Sequence, residues 1–91
     1  MNIAIIGCGY VSEFYAKTLG NYPELRLVGA FDLNRSNLDG FCRRWPTVAY
    51  TNFQELLSDT SVQLVLNLTN PRSHFEITRQ CLDAGKHVYS E

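Results

Sequence analysis

The apolar residues of this chain alternate between two spacings, and this alternation limits the possible folds more than any other feature. Short, mostly apolar runs, at residues 3–6, 25–31 and 62–68, are typical of strands covered on both faces. Between them, apolar residues recur three and four positions apart, as on amphipathic helices. A brief strand at 47–50 and another beginning at 87–89 complete the predicted order βαβαβαβαβ.

Strands that alternate with helices at this spacing predict right-handed crossovers and a parallel sheet with helices on both faces. The length of 91 residues suits one domain. Eight basic against nine acidic residues argue against a nucleic-acid partner. The apolar runs are too short to cross a bilayer, and no basic region precedes the first of them. We therefore expect neither a membrane partner nor a signal peptide.

Cysteine usage indicates a reduced, cytoplasmic protein. Cys8, Cys42 and Cys81 are odd in number, far apart and without metal-ligand spacing, so no metal site is predicted. Cys8 precedes a predicted helix, where a thiol pKa can fall. Packing as a small apolar residue is the favoured interpretation of Cys8, ahead of a redox role.

Helix ends are marked by recognisable capping residues. Asn52 and Glu55 have the spacing of a capping box, which predicts a short helix after the third strand. Asn70 can cap the last helix with Pro71 at its first position, and Gly85 can end it.

A glycine-rich turn joins the first strand to the first helix, with the sequence Gly7-Cys8-Gly9-Tyr10-Val11-Ser12. Gly7 allows a tight turn, and Gly9 lacks the Cβ that would keep backbone N–H groups from a pyrophosphate. The helix start adds unpaired donors and a positive dipole end. Ser12 takes the third glycine position and is still small. This pattern predicts a dinucleotide-binding, Rossmann-type doubly wound parallel sheet of the α/β class.

An acid follows the second strand at the distance that such a fold requires. Asp32 lies 20 residues after Ser12, where a carboxylate accepts hydrogen bonds from the adenosine ribose. Its charge repels a 2′-phosphate and favours NAD, whereas Arg35 could accommodate that phosphate and allow NADP. The alternative is a glycine turn that merely reverses the chain, with Asp32 as a loop acid or helix cap.

Several segments together resemble one family. They are residues 3–19, Asp32, residues 51–57, residues 68–71, His74 and the final AGKHVYSE. They are similar to the N-terminal domain of the glucose–fructose oxidoreductase / inositol dehydrogenase / MocA-like family, and the resemblance covers the chain from end to end. Its most specific part is AGKHV, which in that family leads into a Glu-Lys-Pro motif and here reaches Glu91.

The resemblance implies a nicotinamide-dependent oxidoreductase, acting on sugars, cyclitols or related polyols. It also implies a set of cofactor-binding residues, which follow the chain from the glycine turn to the end: Gly7, Cys8, Gly9, Tyr10, Val11, Asp32, Leu33, Arg35, Thr69, Asn70, Pro71, His74 and Glu91. The family often has Thr-Pro-Asn after strand four, where this chain has Thr-Asn-Pro. Which side chain of that turn meets the cofactor is therefore open.

The family's catalytic lysine would follow Glu91, so no catalytic residue is expected within the 91 residues. Residues 1–91 are predicted to form an incomplete dinucleotide-binding domain that is inactive alone and truncated after strand five. A C-terminal domain would supply the substrate pocket, and the parent protein is expected to be a homo-oligomer. Lys17 and Lys86 are predicted to face solvent. The alternative is a non-catalytic nucleotide-binding or sensing module.

Overall fold

A computed structural model describes residues 1–90 as strands alternating with helices, which confirms the predicted order. The strands are β1 (Asn2–Ile6), β2 (Arg26–Phe31), β3 (Val48–Ala49), β4 (Leu64–Asn67) and β5 (His87–Ser90). The helices are α1 (Tyr10–Leu19), α2 (Arg35–Arg44), α3 (Phe53–Ser58) and α4 (Pro71–Asp83). Glu91, one of the predicted cofactor-binding residues, lies outside the described residues.

The strands form one parallel sheet in the order β3-β2-β1-β4-β5. The chain moves outward from β1 to β3 and then returns to β4 on the other side of β1. With right-handed crossovers, this reversal places α1 and α2 on one face and α3 and α4 on the other. The sheet is therefore Rossmann-like and doubly wound. Its topological switch point lies between β1 and β4, where a crevice opens at the carboxyl ends of the strands.

The core is centred on β1 and β4 because both strands are apolar on both faces. Ile3, Ile5 and Val65 are fully buried, and β1 pairs with β2 on one side and β4 on the other. On α1, Ser12 and Ala16 are buried against this core. The small side chain of Ser12 therefore allows the close packing between helix and strand that was expected of it.

Strand β4 is shorter than the apolar run that predicted it. The expected strand covered residues 62–68, whereas β4 runs from Leu64 to Asn67. Val62 is buried, but its N–H donates to the Asp59 carbonyl in a turn. Burial, rather than ladder pairing, accounts for the apolar residue at this position.

Asparagine side chains cap three helices of the domain. Asn52 accepts the Glu55 N–H at 2.8 Å, and Asn70 accepts the Ser73 N–H at 3.3 Å. Asn34 caps α2 in the same way. Gly85 follows α4 with a φ of +81°, which confirms its predicted role in ending that helix.

The expectation that Lys86 faces solvent is wrong. Its side chain is 6% exposed, and Nζ donates to the carbonyls of Asp59 at 2.8 Å and Val62 at 3.1 Å. The turn before β4 directs these two carbonyls inward, so a buried ammonium satisfies them. A lysine is expected at the surface from its charge alone, and the sequence does not show that two buried carbonyls are available as its partners.

Replacing Lys86 with methionine is expected to lower the free energy of unfolding by about 2–4 kcal/mol, since two buried carbonyls lose a charged donor. Denaturant unfolding followed by circular dichroism measures the change. Lys17→Met removes the same charge from an exposed position and should have almost no effect. Equal losses in the two variants would contradict the buried role of Lys86.

Candidate functional site

A pocket of about 440 Å³ opens at the carboxyl ends of β1, β2 and β4, at the topological switch point. It is formed by the ends of these strands, the turns that follow them and the starts of α3 and α4. Its lining residues are Ile6, Gly7, Gly9, Phe31, Asp32, Leu33, Asn34, Phe53, Leu68, Thr69, Asn70, Ser73 and Ile77.

Gly7 begins the turn on one wall of this pocket. Its φ is +99°, and its N–H donates to the Phe31 carbonyl at 2.9 Å. A Cβ at this position would lie 2.7 Å from the carbonyl carbon and oxygen of Leu68 and 2.9 Å from the Thr69 nitrogen. Both the backbone angle and the contact with the end of β4 therefore require glycine.

Gly9 leaves an open approach to the start of α1. A Cβ built on Gly9 would meet nothing within 4 Å, and no side chain caps this helix. The Ser12 N–H donates to the Gly9 carbonyl at 3.2 Å, whereas the preceding N–H groups have no acceptor within the helix. Open space beside backbone donors at a positive helix end fits a phosphate group.

The Asp32 carboxylate connects the two turns beside the pocket. One oxygen accepts the Cys8 N–H at 2.7 Å, and the other accepts the Asn34 N–H at 2.7 Å. Each carboxylate oxygen has further acceptor capacity, because an ionised carboxylate offers about four lone-pair sites. Asp32 thus holds the turns together locally and can still accept hydrogen bonds from a ligand hydroxyl.

The Cys8 side chain faces the core rather than the pocket. It is 4% exposed, and burial, together with the Asp32 carboxylate, raises the pKa of its thiol to about 12. Burial also raises the pKa of Cys81 to about 11. A thiol held neutral is a poor nucleophile, which argues against a redox role for Cys8.

Ellman's reagent at pH 8 is expected to label Cys42 first and to leave Cys8 and Cys81 unmodified in the folded chain. A pKa of about 12 leaves roughly one Cys8 thiol in 10,000 ionised at that pH. Cys42 is only half-buried. Mass spectrometry of the labelled peptides identifies the sites, and all three cysteines should react in guanidinium. Labelling of Cys8 as fast as Cys42 would contradict the assignment.

The predicted site residues fall into two groups. Gly7, Gly9, Asp32, Leu33, Thr69 and Asn70 line the pocket, whereas Cys8, Tyr10, Val11, Arg35, Pro71 and His74 do not. Tyr10 is 80% exposed and meets Phe14 edge to face. Arg35 forms an exposed ion pair with Asp39 on its own helix, at 3.2 Å.

His74 lies near the start of α4 and does not line the pocket. Its carbonyl accepts the Asn67 side-chain amide at 3.1 Å. Its Nε2 atom is buried and has no hydrogen-bond partner among the described residues. The backbone of His74 therefore helps to hold the end of β4, which agrees with a structural role for this residue.

Seven residues that line the pocket were not among the predicted site residues: Ile6, Phe31, Asn34, Phe53, Leu68, Ser73 and Ile77. Five of them are direct sequence neighbours of predicted residues, whereas Phe53 and Ile77 are not. Asn70 caps α4, so Ser73 and Ile77 stand one turn apart on the face above the pocket. That helical spacing is a signal that could have identified both of them. Phe53 opens α3, and its place in the pocket depends on the crossover from β3 to β4, which local sequence does not encode.

Residues 1–90 contain no cluster of three or more His, Cys, Asp or Glu side chains able to hold a metal ion. Over the same residues, no helix is long and apolar enough to span a membrane.

The glycine turn, the open start of α1 and the acid after β2, all at the switch point, define a dinucleotide-binding α/β domain. The sequence profile of the glucose–fructose oxidoreductase / inositol dehydrogenase / MocA oxidoreductases, described as an oxidoreductase family with an NAD-binding Rossmann fold, matches residues 1–91. The chain belongs to this family, as the resemblance predicted.

Known relatives share the sequence or the fold of this domain. The chain is 33% identical to glucose-6-phosphate 3-dehydrogenase of Bacillus subtilis over 98% of its length, but covers only 25% of that enzyme. The biliverdin reductase of Synechocystis, solved with biliverdin and NADP⁺, superposes with a TM-score of 0.91 at 27% identity, over 98% of this chain and 28% of that one. GenD2 from gentamicin A biosynthesis, solved with NAD, shares the fold at a TM-score of 0.93 and 24% identity, over 99% of this chain and 26% of that one.

Proposed function

We propose that this chain is the NAD-binding part of an oxidoreductase that transfers a hydride between nicotinamide and a sugar, cyclitol or related polyol. One observation carries the proposal: the Asp32 carboxylate accepts the Cys8 N–H at 2.7 Å, which fixes a strand-end acid beside the open glycine turn. The acid and the turn are the two elements that this fold uses to recognise a dinucleotide. The sugar-phosphate dehydrogenase among the relatives supports the substrate class.

The pocket suggests how the parts of the dinucleotide would be held. The backbone N–H groups of Gly9, Tyr10 and Val11 would donate to the pyrophosphate, and Asp32 would accept from the adenosine ribose. The apolar side chains of Leu33, Phe53 and Ile77 line the same pocket and suit an adenine ring.

Asp32 also supports a preference for NAD over NADP, since its charge opposes a 2′-phosphate. Arg35 could offset this effect only by leaving Asp39. The Arg35–Asp39 pair is largely exposed, so breaking it costs about 0–1 kcal/mol. NADP is therefore expected to bind more weakly than NAD.

Within residues 1–90, Asp32 is the only ionisable side chain that lines the pocket. The bound cofactor would supply the hydride, while these residues bind and orient it. The same lining also suits a second candidate, a non-catalytic nucleotide-binding or sensing module, which needs binding groups alone. Formation of NADH at 340 nm with a sugar or cyclitol, in the protein that carries this chain, would support the enzyme. Cofactor binding without any turnover would support the module.

Titration calorimetry with NAD and NADP tests the ribose assignment. Asp32→Asn removes the charge and keeps one acceptor oxygen for the neighbouring turns, so it perturbs the fold less than alanine would. We expect the ratio of the NADP to the NAD dissociation constant to fall about tenfold, which corresponds to about 1.4 kcal/mol of relieved repulsion.

Asp83→Asn is the matched control, because it removes the same charge from an exposed position at the end of α4. It should leave both dissociation constants unchanged. An unchanged ratio in Asp32→Asn, with wild-type binding intact, would overturn the ribose assignment. Failure of the wild-type chain to bind either dinucleotide would overturn the proposed function itself.

The proposal extends to a larger protein that would contain this chain. The chain spans about a quarter of the length of the relatives it matches. A further domain would provide the substrate pocket, and association into a homo-oligomer would involve that domain. The reduced state of the cysteines would fit a cytoplasmic location.

A further inference from the structure

Asn67 is a polar residue at the end of an otherwise apolar strand, and it is fully buried. Its side-chain amide donates to the His74 carbonyl and to the Thr78 hydroxyl, both at 3.1 Å. Its side-chain oxygen accepts the Thr69 hydroxyl at 2.6 Å and the Thr69 N–H at 3.2 Å.

These four contacts use the full hydrogen-bonding capacity of an asparagine side chain, two donors and two acceptor positions. Because every donor and acceptor of the side chain has a partner, the hydrogen bonds offset the cost of burying the amide and fix its orientation. The sheet itself does not need a polar side chain here, since β4 already pairs with β1 and β5 through its backbone. The contacts of Asn67 instead determine the shape of the turn that follows the strand.

The network continues to the end of β5. The Thr78 and Ser90 hydroxyls lie 2.9 Å apart, and Ser90 is the register partner of Asn67 on the neighbouring strand. One buried side chain therefore connects the turn after β4 and two residues of α4, and through Thr78 it reaches the last described residue of β5. Thr69 lies in that turn and lines the pocket.

We propose that Asn67 is a positioning residue of the dinucleotide pocket, which it shapes through Thr69 without touching the ligand. This inference rests on the proposed function. Because the Thr69 hydroxyl donates its hydrogen to Asn67, its oxygen can only accept from a ligand. Thr69 thus suits a donor, such as a ribose hydroxyl or a carboxamide N–H, and not a phosphate oxygen.

The first test is Asn67→Leu, which preserves size and removes all four contacts. We expect the dissociation constant for NAD to rise about tenfold by calorimetry, as expected for loss of a well-positioned hydrogen bond. Amide exchange of Thr69, followed by NMR without ligand, should accelerate at least tenfold. Val65→Ala is the control: it damages the core of the same strand, and should lower stability without changing affinity in the folded chain.

A second pair of variants, at Thr78, tests the positioning role of Asn67 even if Asn67→Leu does not fold. Thr78 does not line the pocket, so Thr78→Val removes one Asn67 contact and the connection to Ser90 without removing a ligand contact. It should weaken NAD binding about threefold to tenfold, and Thr78→Ser, which retains the hydroxyl, should restore it. A purely structural threonine would instead change stability while leaving affinity unaltered.

If Asn67→Leu folds and binds NAD with wild-type affinity, the inference is overturned and the proposed function is not affected. If Asn67→Leu does not fold, wild-type affinity in Thr78→Val has the same consequence. Absence of NAD and NADP binding in the wild-type chain would overturn both. If the wild-type chain binds no dinucleotide but the Thr69 amide still exchanges faster in Asn67→Leu, Asn67 holds the turn for a purpose other than dinucleotide binding.

Discussion

Gly7→Ala is expected to lower the free energy of unfolding by about 2–6 kcal/mol, a large fraction of the total stability of a small domain. Two costs add at this position. A left-handed backbone at φ +99° disfavours any Cβ, and the added methyl group would overlap backbone atoms of Leu68 and Thr69 at less than 3 Å. Backbone cannot rotate away as a flexible side chain can, so β4 and the glycine turn must separate.

Gly85→Ala isolates the cost of the backbone angle, because Gly85 has a similar φ of +81° but no atom within 4 Å of a built Cβ. That variant should lose only about 1 kcal/mol. Denaturant unfolding of both variants measures the difference, which we assign to the contact between the glycine turn and the end of β4. Equal losses would mean that the backbone angle alone requires glycine at position 7.

The local part of the fold could be predicted from the sequence because its causes are local. Apolar runs placed the strands, and the caps at Asn52 and Asn70 placed the starts of two helices to the residue. Gly85 marked the end of α4 for the same reason. Strand β4 was predicted too long because Val62 is buried without joining the sheet, and hydrophobicity reports burial rather than pairing.

The candidate site was predictable only in part, because residues distant in sequence complete it. The glycine turn and Asp32 belong to a pattern with fixed spacing, and the structure brings them together through the hydrogen bond from Cys8. Phe53 reaches the pocket through the long crossover to β4, for which no local pattern exists. The partners of Lys86 and Asn67 were likewise unpredictable, since a buried polar side chain depends on carbonyls and hydroxyls supplied by the fold.

Gly9→Val is expected to weaken NAD binding at least about 100-fold, with little change in stability. The built Cβ of Gly9 meets no protein atom within 4 Å, and its φ of −83° and ψ of −160° suit a branched residue. Valine at a helix N-cap costs about 1 kcal/mol at most in this exposed position. Its two methyl groups would occupy the space through which the N–H groups at the start of α1 reach a pyrophosphate. Loss of two such charge-assisted hydrogen bonds is worth about 3–6 kcal/mol.

Calorimetry with NAD, paired with denaturant unfolding of the same sample, separates the two effects. Gly40→Ala is the control: it adds a methyl group to a glycine in α2, where only arginine side-chain atoms lie within 4 Å of the built Cβ. It should raise stability by about 0.5–1 kcal/mol and leave NAD affinity unchanged. Wild-type affinity in Gly9→Val would place the pyrophosphate elsewhere. A large loss of stability in that variant would instead mean that the space beside Gly9 belongs to the fold, and the difference from Gly7→Ala would disappear. The two glycines of one turn thus have different roles. Replacing Gly7 should reduce stability, because the protein's own backbone requires glycine there, whereas replacing Gly9 should reduce NAD affinity, because the ligand requires the space beside it.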